Sequence, residues 1–168
     1  PTRNAAIIKD EFLYEKASFP QAHASTITEL KNGDLVAAYF GGTKERNPDV
    51  CIWVSRKPKG ADKWESPILD GDGVYQLGTK DAELAGIDKN TTPASAGPIK
   101  ARKVSLSGTL KRKACWNPVL FTMPDGEIWL FYKVGATIDD WTGWLVKSRD
   151  GGKTWTEREP LPKGFIGP

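Results

Sequence analysis

Apolar, β-branched and aromatic residues fall in short runs separated by turn residues, and the runs come in a repeating order. Thr26 to Leu30 and Leu35 to Phe40 read as two strands joined at Asn32 and Gly33. The order returns with Pro118 to Thr122, a turn at Asp125 and Gly126, and Ile128 to Val134. Asn-Gly and Asp-Gly pairs favour tight hairpins because such turns need positive φ. A third strand follows each hairpin, Val50 to Val54 and Gly143 to Lys147, and a fourth is expected at Trp64 to Ser66 and at Trp155 to Glu157.

Gly33 and Gly126 are 93 positions apart, and so are Ser55 and Ser148. An identical offset at two landmarks means that one unit of about 45 residues occurs twice. A small four-stranded sheet needs neighbours on its faces to bury its apolar residues, which predicts an all-β chain built from blades of a β-propeller. A two-sheet sandwich also uses eight strands, but nothing in it requires the same landmarks twice. The expected division is a partial propeller over 1–168, with a first blade at 21–68, an insertion at 69–115 and a second blade at 116–159.

The stretch "SRDGGKTW", Ser148 to Trp155, closes the third strand of the second unit. Ser148 and Asp150 suit hydrogen bonds to the backbone of a tight turn, and Gly151 and Gly152 tolerate dihedrals closed to other residues. Trp155 supplies an apolar plate to cover the blade edge. The stretch is a folding device and specifies no reaction.

Composition narrows the picture. With 39% hydrophobic and 27% charged residues the chain fits a globular domain or a piece of one. No apolar run approaches the roughly 20 residues that span a bilayer. The start, "PTRNAAIIKDEF", lacks both a secretory hydrophobic core and an initiator methionine, and reads as a processed or trimmed end. Cys51 and Cys115 lie among apolar residues and read as buried free thiols. With His23 as the single histidine and no paired cysteine motif, a zinc site is not expected, and no cofactor motif is present. The net charge of +3 comes from local clusters, "IKARK" and "LKRKACW". Without interleaved aromatics these read as solvated charge rather than a nucleic-acid surface. Asp70 to Lys113 has the glycine, proline and small polar residues of a long surface excursion, with "VSLSGTL" as a short strand candidate.

"SRDGGKTW" matches the Asp-box pattern Ser-x-Asp-x-Gly-x-x-Trp, through Ser148, Asp150, Gly152 and Trp155, and "SRKPKGADKW" looks like a degenerate copy. Together with "FPQAHASTITELKNGDLVAAYFGGTKERNPDVCIWVSR", "CWNPVLFTMPDGEIWLFYKVG" and "TGWLVKSRDGGKTWTEREPLPKGFIGP", the chain resembles sialidase-like proteins of the bacterial neuraminidase repeat family. The resemblance implies a longer, six-bladed propeller with a sugar pocket where loops of every blade meet. Two blades alone leave apolar faces and sheet edges open, so a complementary polypeptide or a sister copy is expected.

Sialidases of this kind hold the substrate carboxylate with arginines, because a guanidinium fork matches a planar anion. The resemblance places the first of these ten positions before Gly33, where this chain has His23. His23 can bind an anion or move a proton near neutral pH, but it lacks the arginine fork. Asp49, in "GGTKERNPDV", stands where the resemblance implies the acid/base aspartate, and partial burial of such a carboxylate raises its pKa. Arg46 in the same loop is a candidate for a sugar carboxylate or hydroxyl. Trp116 and Asn117 in "CWNP" suit stacking on a pyranose and hydrogen bonds to its hydroxyls, and Lys133 in "FYKVG" supplies a positive charge. Trp53, Trp129 and Trp144 sit within apolar strands and are assigned to the core. Arg56 and Arg149 occupy equivalent positions and are assigned structural roles.

Two readings of function follow. One is a sialidase-like glycoside hydrolase, or its N-terminal portion, acting on a terminal glycosidic bond through Asp49. The other is a non-catalytic propeller module that binds a glycan or protein, or serves as a subunit of a larger assembly.

Overall fold

A computed structural model of the chain describes residues 9–76 and 110–167. It is all-β, with two four-stranded antiparallel sheets. The first holds β1 (Gln21–Glu29), β2 (Leu35–Gly42), β3 (Cys51–Lys57) and β4 (Ile68–Gly71) in sequence order. Next comes a two-stranded ribbon, β5 (Val74–Gln76) paired with β6 (Leu110–Arg112), so that Gln76 and Leu110 are register partners at its open end. The second sheet holds β7 (Cys115–Thr122), β8 (Ile128–Val134), β9 (Thr142–Ser148) and β10 (Glu159–Pro160), again in consecutive order.

The two expected hairpins form with matching detail. Asn32 Oδ1 accepts from the Asp34 amide, and Asp125 Oδ1 from the Glu127 amide, each at 3.0 Å. Gly33 and Gly126 take φ of 83° and 95°, the left-handed region in which glycine carries no Cβ penalty. β1 pairs with β2 around a bulge between His23 and Thr26, and β7 pairs with β8 around a bulge between Trp116 and Val119. Inside these bulges Ala24 (φ 49°) and Asn117 (φ 38°) are both left-handed, and they too are 93 positions apart.

Opposite faces of the two sheets meet. Val36, Ala38 and Phe40 of β2, with Ile52 and Val54 of β3, form one core with Ile128, Leu130, Tyr132 and Val134 of β8. Shifted by 93 positions, Val36, Ala38 and Phe40 become Trp129, Phe131 and Lys133, which alternate with those β8 residues and so lie on the other face. A sandwich related by a two-fold axis would pack equivalent faces together. Here non-equivalent faces of the two sheets meet, which is the relation between neighbouring propeller blades.

The inner edges agree. The Leu120 amide donates to Thr26 Oγ1 at 3.3 Å, and the hydroxyls of Thr28 and Thr122 are 2.8 Å apart. Both partners advance together, so β1 and β7 run parallel. The remaining face of the first sheet is covered by the segment before β1: Phe19 packs on Trp53 with ring centroids 4.6 Å apart, and Tyr14 on Tyr39 at 5.6 Å. With both faces covered, β2 reads as an unbroken apolar run rather than an alternating one.

The Ser148–Trp155 turn is held from within. Ser148 donates to Asp150 Oδ1 at 2.9 Å and accepts from the Gly152 amide at 2.8 Å. The amides of Lys153 and Thr154 donate to the same Asp150 oxygen, and the Thr154 hydroxyl to the other. Burial works against the charge on Asp150, but the bonds from Thr154, Ser148 and Lys153 outweigh it and hold the carboxyl at about 2.

Several boundaries differ from expectation. The fourth strands are Ile68–Gly71 and Glu159–Pro160, not Trp64 to Ser66 and Trp155 to Glu157. β1 starts at Gln21 and β7 at Cys115, because pairing continues past each bulge. Trp144 is buried in the core as expected, whereas Trp53 and Trp129 are half-buried on the outer faces. Cys51 and Cys115 are free and buried. Most of the excursion, including nearly all of "VSLSGTL", lies outside the described residues.

Candidate functional site at the N-terminal ends of the inner strands

β1 and β7 bring their bulges to the same end of the two blades. At that end also lie the loops that follow β2 and β8. Left-handed backbone at a non-glycine residue costs about 1–3 kcal/mol, and such strain collects at functional sites. Its recurrence in register at Ala24 and Asn117 marks this end of the fold.

His23 precedes the first bulge and is exposed. Its ring stacks on Phe40 at 5.6 Å, Phe40 meets Trp116 edge-on at 5.7 Å, and Trp116 meets Trp141 at 5.5 Å. A continuous aromatic row thus crosses from one blade to the next. Trp116 is 6% exposed and donates its indole N–H to the Gly135 carbonyl at 2.7 Å. Enclosed in this way, it acts as the keystone of the row rather than an open stacking platform. Trp141 is half-buried, and its indole nitrogen has no hydrogen-bond partner among the described residues. A cavity of about 410 Å³ opens beside His23, lined also by Phe12, Tyr14, Ser25 and Tyr39. Burial pushes the Tyr39 phenol up to about 12, and its hydroxyl bonds to Ser55 at 3.0 Å.

Asp49 is half-buried at the end of the loop after β2, where Oδ2 accepts from the Thr43 amide at 2.9 Å and Oδ1 from the Thr43 hydroxyl at 3.0 Å. Asn47 also donates to that hydroxyl, and the Glu45 amide donates to Gln21 Oε1 at 3.1 Å, which ties the loop to the start of β1. The exposed Arg46 has φ 75° within this loop. Asp49 therefore organises the loop that presents Arg46.

In the second blade Lys133 is 5% exposed and donates to the Asn117 carbonyl at 3.2 Å. Burial lowers its pKa. This bond braces the left-handed turn at Asn117. Of the sequence candidates, Trp116, Asn117 and Lys133 form one group, Arg46 and Asp49 share a loop, and His23 is linked to the first group through Phe40. Thr43 and Gln21 escaped sequence reasoning because their contribution is a hydrogen bond to a loop whose path no local pattern specifies. Lys113, in the basic cluster before β7, pairs with Asp140 at 2.6 Å, and Arg112 donates to the Cys51 sulfur at 3.2 Å. Arg112 and Lys113 thus make internal contacts, where solvated charge was expected.

Residues 97–168 match the BNR repeat-like domain family. The match covers 72 of the 168 residues, and the likeness to the solved structures that follow is one of fold. Among solved structures, the Hadza microbial sialidase Hz136 aligns at 15% identity with a TM-score of 0.53, over 83% of this chain and 25% of that one. A protein of unknown function from Dyadobacter fermentans DSM 18053 aligns at 17% identity and a TM-score of 0.51, over 88% of this chain and 37% of that one. The chain thus spans a quarter and somewhat over a third of these proteins. No curated protein matches the sequence. Among the described residues no helix is long and apolar enough to cross a membrane, and no cluster of His, Cys, Asp and Glu is placed to hold a metal.

Proposed function

We propose that this chain contributes the first part of a sialidase-like glycoside hydrolase site, acting on a terminal glycosidic bond. The observation that carries the reading is the pair of strained bulges, Ala24 and Asn117, at one end of two adjacent parallel strands. Such an end gathers loops from successive blades around one ligand. His23 borders the cavity, Asn117 offers an amide for sugar hydroxyls, and Arg46 and Lys133 supply positive charge. Trp116 supports the site from behind. In this reading the Ser148–Trp155 turn is an Asp-box with a purely structural task.

Asp49 is the proposed acid/base: its proton passes to the glycosidic oxygen as that oxygen's bond to the anomeric carbon breaks and the aglycone leaves, and its carboxylate then takes a proton from the water whose oxygen bonds to that carbon. Thr43 occupies both of its oxygens, the amide bonding Oδ2 and the hydroxyl Oδ1. Acting as an acid therefore requires the loop to loosen when sugar enters. The same bonds support the second reading, a glycan- or protein-binding module without hydrolysis, in which Asp49 holds the loop shut.

Assaying the complete gene product on a panel of aryl glycosides, with Asp49→Asn beside it, separates the two. Hydrolysis lost in the variant supports the enzyme. Hydrolysis unchanged in the variant removes Asp49 from the chemistry, and glycan binding without turnover in either protein establishes the module.

A further inference from the structure

Arg56 joins the two blades, with two charged partners in its own blade and a neutral one in the next. Its side chain is 8% exposed and paired with Asp34 at 3.5 Å and Glu65 at 3.1 Å. From that position Nε donates to the Gly151 carbonyl at 2.5 Å, in the turn that follows the third strand of the neighbouring sheet. Gly151 and Gly152, with φ of 73° and 81°, give this turn the path that offers the carbonyl to Arg56.

The 93-position offset carries this pair onto the second blade. Asp34 becomes Glu127 and Arg56 becomes Arg149. The pair is intact there: Arg149 Nε donates to Glu127 Oε1 at 2.8 Å, and Glu127 also accepts from the Trp129 indole at 2.8 Å. What differs is the third member. Arg149 is 87% exposed and has no carbonyl to bind among the described residues, while Glu127 beneath it is 12% exposed.

The face around this pair repeats the same relation. Trp129 and Phe131 correspond to Val36 and Ala38, which are fully covered by the second blade. Trp129 and Phe131 are only half-buried, and Phe121 beside them is 56% exposed. The segment before the C-terminal residue reaches only part of this face, with Gly167 against Phe131.

A further blade on this face is what the resemblance to the repeat family implies; resting on that, we infer that Arg149 clamps a backbone carbonyl in the turn after that blade's third strand. The inference stands apart from the proposed hydrolysis. A second copy of this chain fits the face poorly. Its own Gly151 carbonyl is taken by Arg56, and the face of its first sheet that would dock is covered by Tyr14 and Phe19. The solved structures that share this fold have additional chain to supply such a blade, since the alignment occupies 25% and 37% of them.

A structure of the complete gene product tests the inference. The expected result is a four-stranded sheet over Phe121, Trp129 and Phe131, with Arg149 buried and a guanidinium nitrogen at hydrogen-bond distance from a main-chain carbonyl of that sheet. Arg149 left in solvent, a face covered by a second copy or by an element of another kind, or a product that ends with the face bare overturns it. As an independent measurement, Arg149→Ala in the complete product lowers the melting temperature by about 2 °C or more. A shift below about 1 °C, as for an exposed ion pair, overturns the clamp.

Discussion

Arg56 of the first blade and Gly151 of the second are joined by a 2.5 Å bond from Nε to the carbonyl oxygen, although they stand 95 positions apart. Removing the guanidinium strips this carbonyl of its donor and leaves Asp34, 15% exposed, without its cation. Arg56→Met is expected to destabilise the protein by about 1.5–3 kcal/mol, the range for a hydrogen bond involving a charged group. Urea unfolding checks it. Arg56→Lys recovers little of the loss, because one ammonium cannot reproduce the guanidinium's spread of donors.

The blade interface is the main apolar core, and Leu130 lies in it with no exposed surface. Leu130→Ala is expected to cost about 2–5 kcal/mol through lost burial and the cavity left behind. The urea midpoint should fall while the slope of the transition stays near that of the parent.

Acid should weaken the Ser148–Trp155 turn over a definite interval. The Asp150 carboxyl is at about 2 in the folded chain against an ordinary 3.8, so the unfolded chain binds more protons between these values. The stabilisation is complete above about pH 4 and is lost as pH falls toward 2. Glu11, also near 2 through Lys57 and then Lys9, adds to the same fall. Thermal melts from pH 6 to pH 2 should show a shallower decline for Asp150→Asn, from a lower starting temperature.

The two thiols should be inert while the protein is folded. Burial pushes Cys51 up to about 12 and Cys115 well above its ordinary value, so neither supplies thiolate near neutral pH. Iodoacetamide at pH 8 should label neither in buffer and both in denaturant.

Backbone strain at the first bulge predicts a gain. Ala24 holds φ 49°, where a Cβ is unfavourable, and glycine there should stabilise by up to about 1 kcal/mol. Ala24→Val at the same position should destabilise, and paired melting curves distinguish the two.

Much of the scaffold was legible because its signals are local. The Asn32-Gly33 and Asp125-Gly126 pairs mark both hairpins, and their spacing exposes the repeat. The fourth strands were misplaced because β10 is only two residues long and exists through its pairing with β9, not through propensity. The early starts of β1 and β7 were hidden by the bulges, which interrupt the alternation that announces a strand. At the candidate site, residue type pointed to Asp49, Arg46 and Lys133. It said nothing of Thr43 or of the Asn117 carbonyl, because a hydrogen-bond partner in another element leaves no periodic trace.

The β5–β6 ribbon holds the base of the excursion between the blades, bringing Gln76 and Leu110 together as neighbours. With both stems paired, the ends of any connection at this point are already held together, and doubling the length of a flexible one adds only about 0.6 kcal/mol of closure entropy. Natural variation, and an engineer grafting a new recognition element, therefore have a permissive port at this point, independent of the pleated framework on either side.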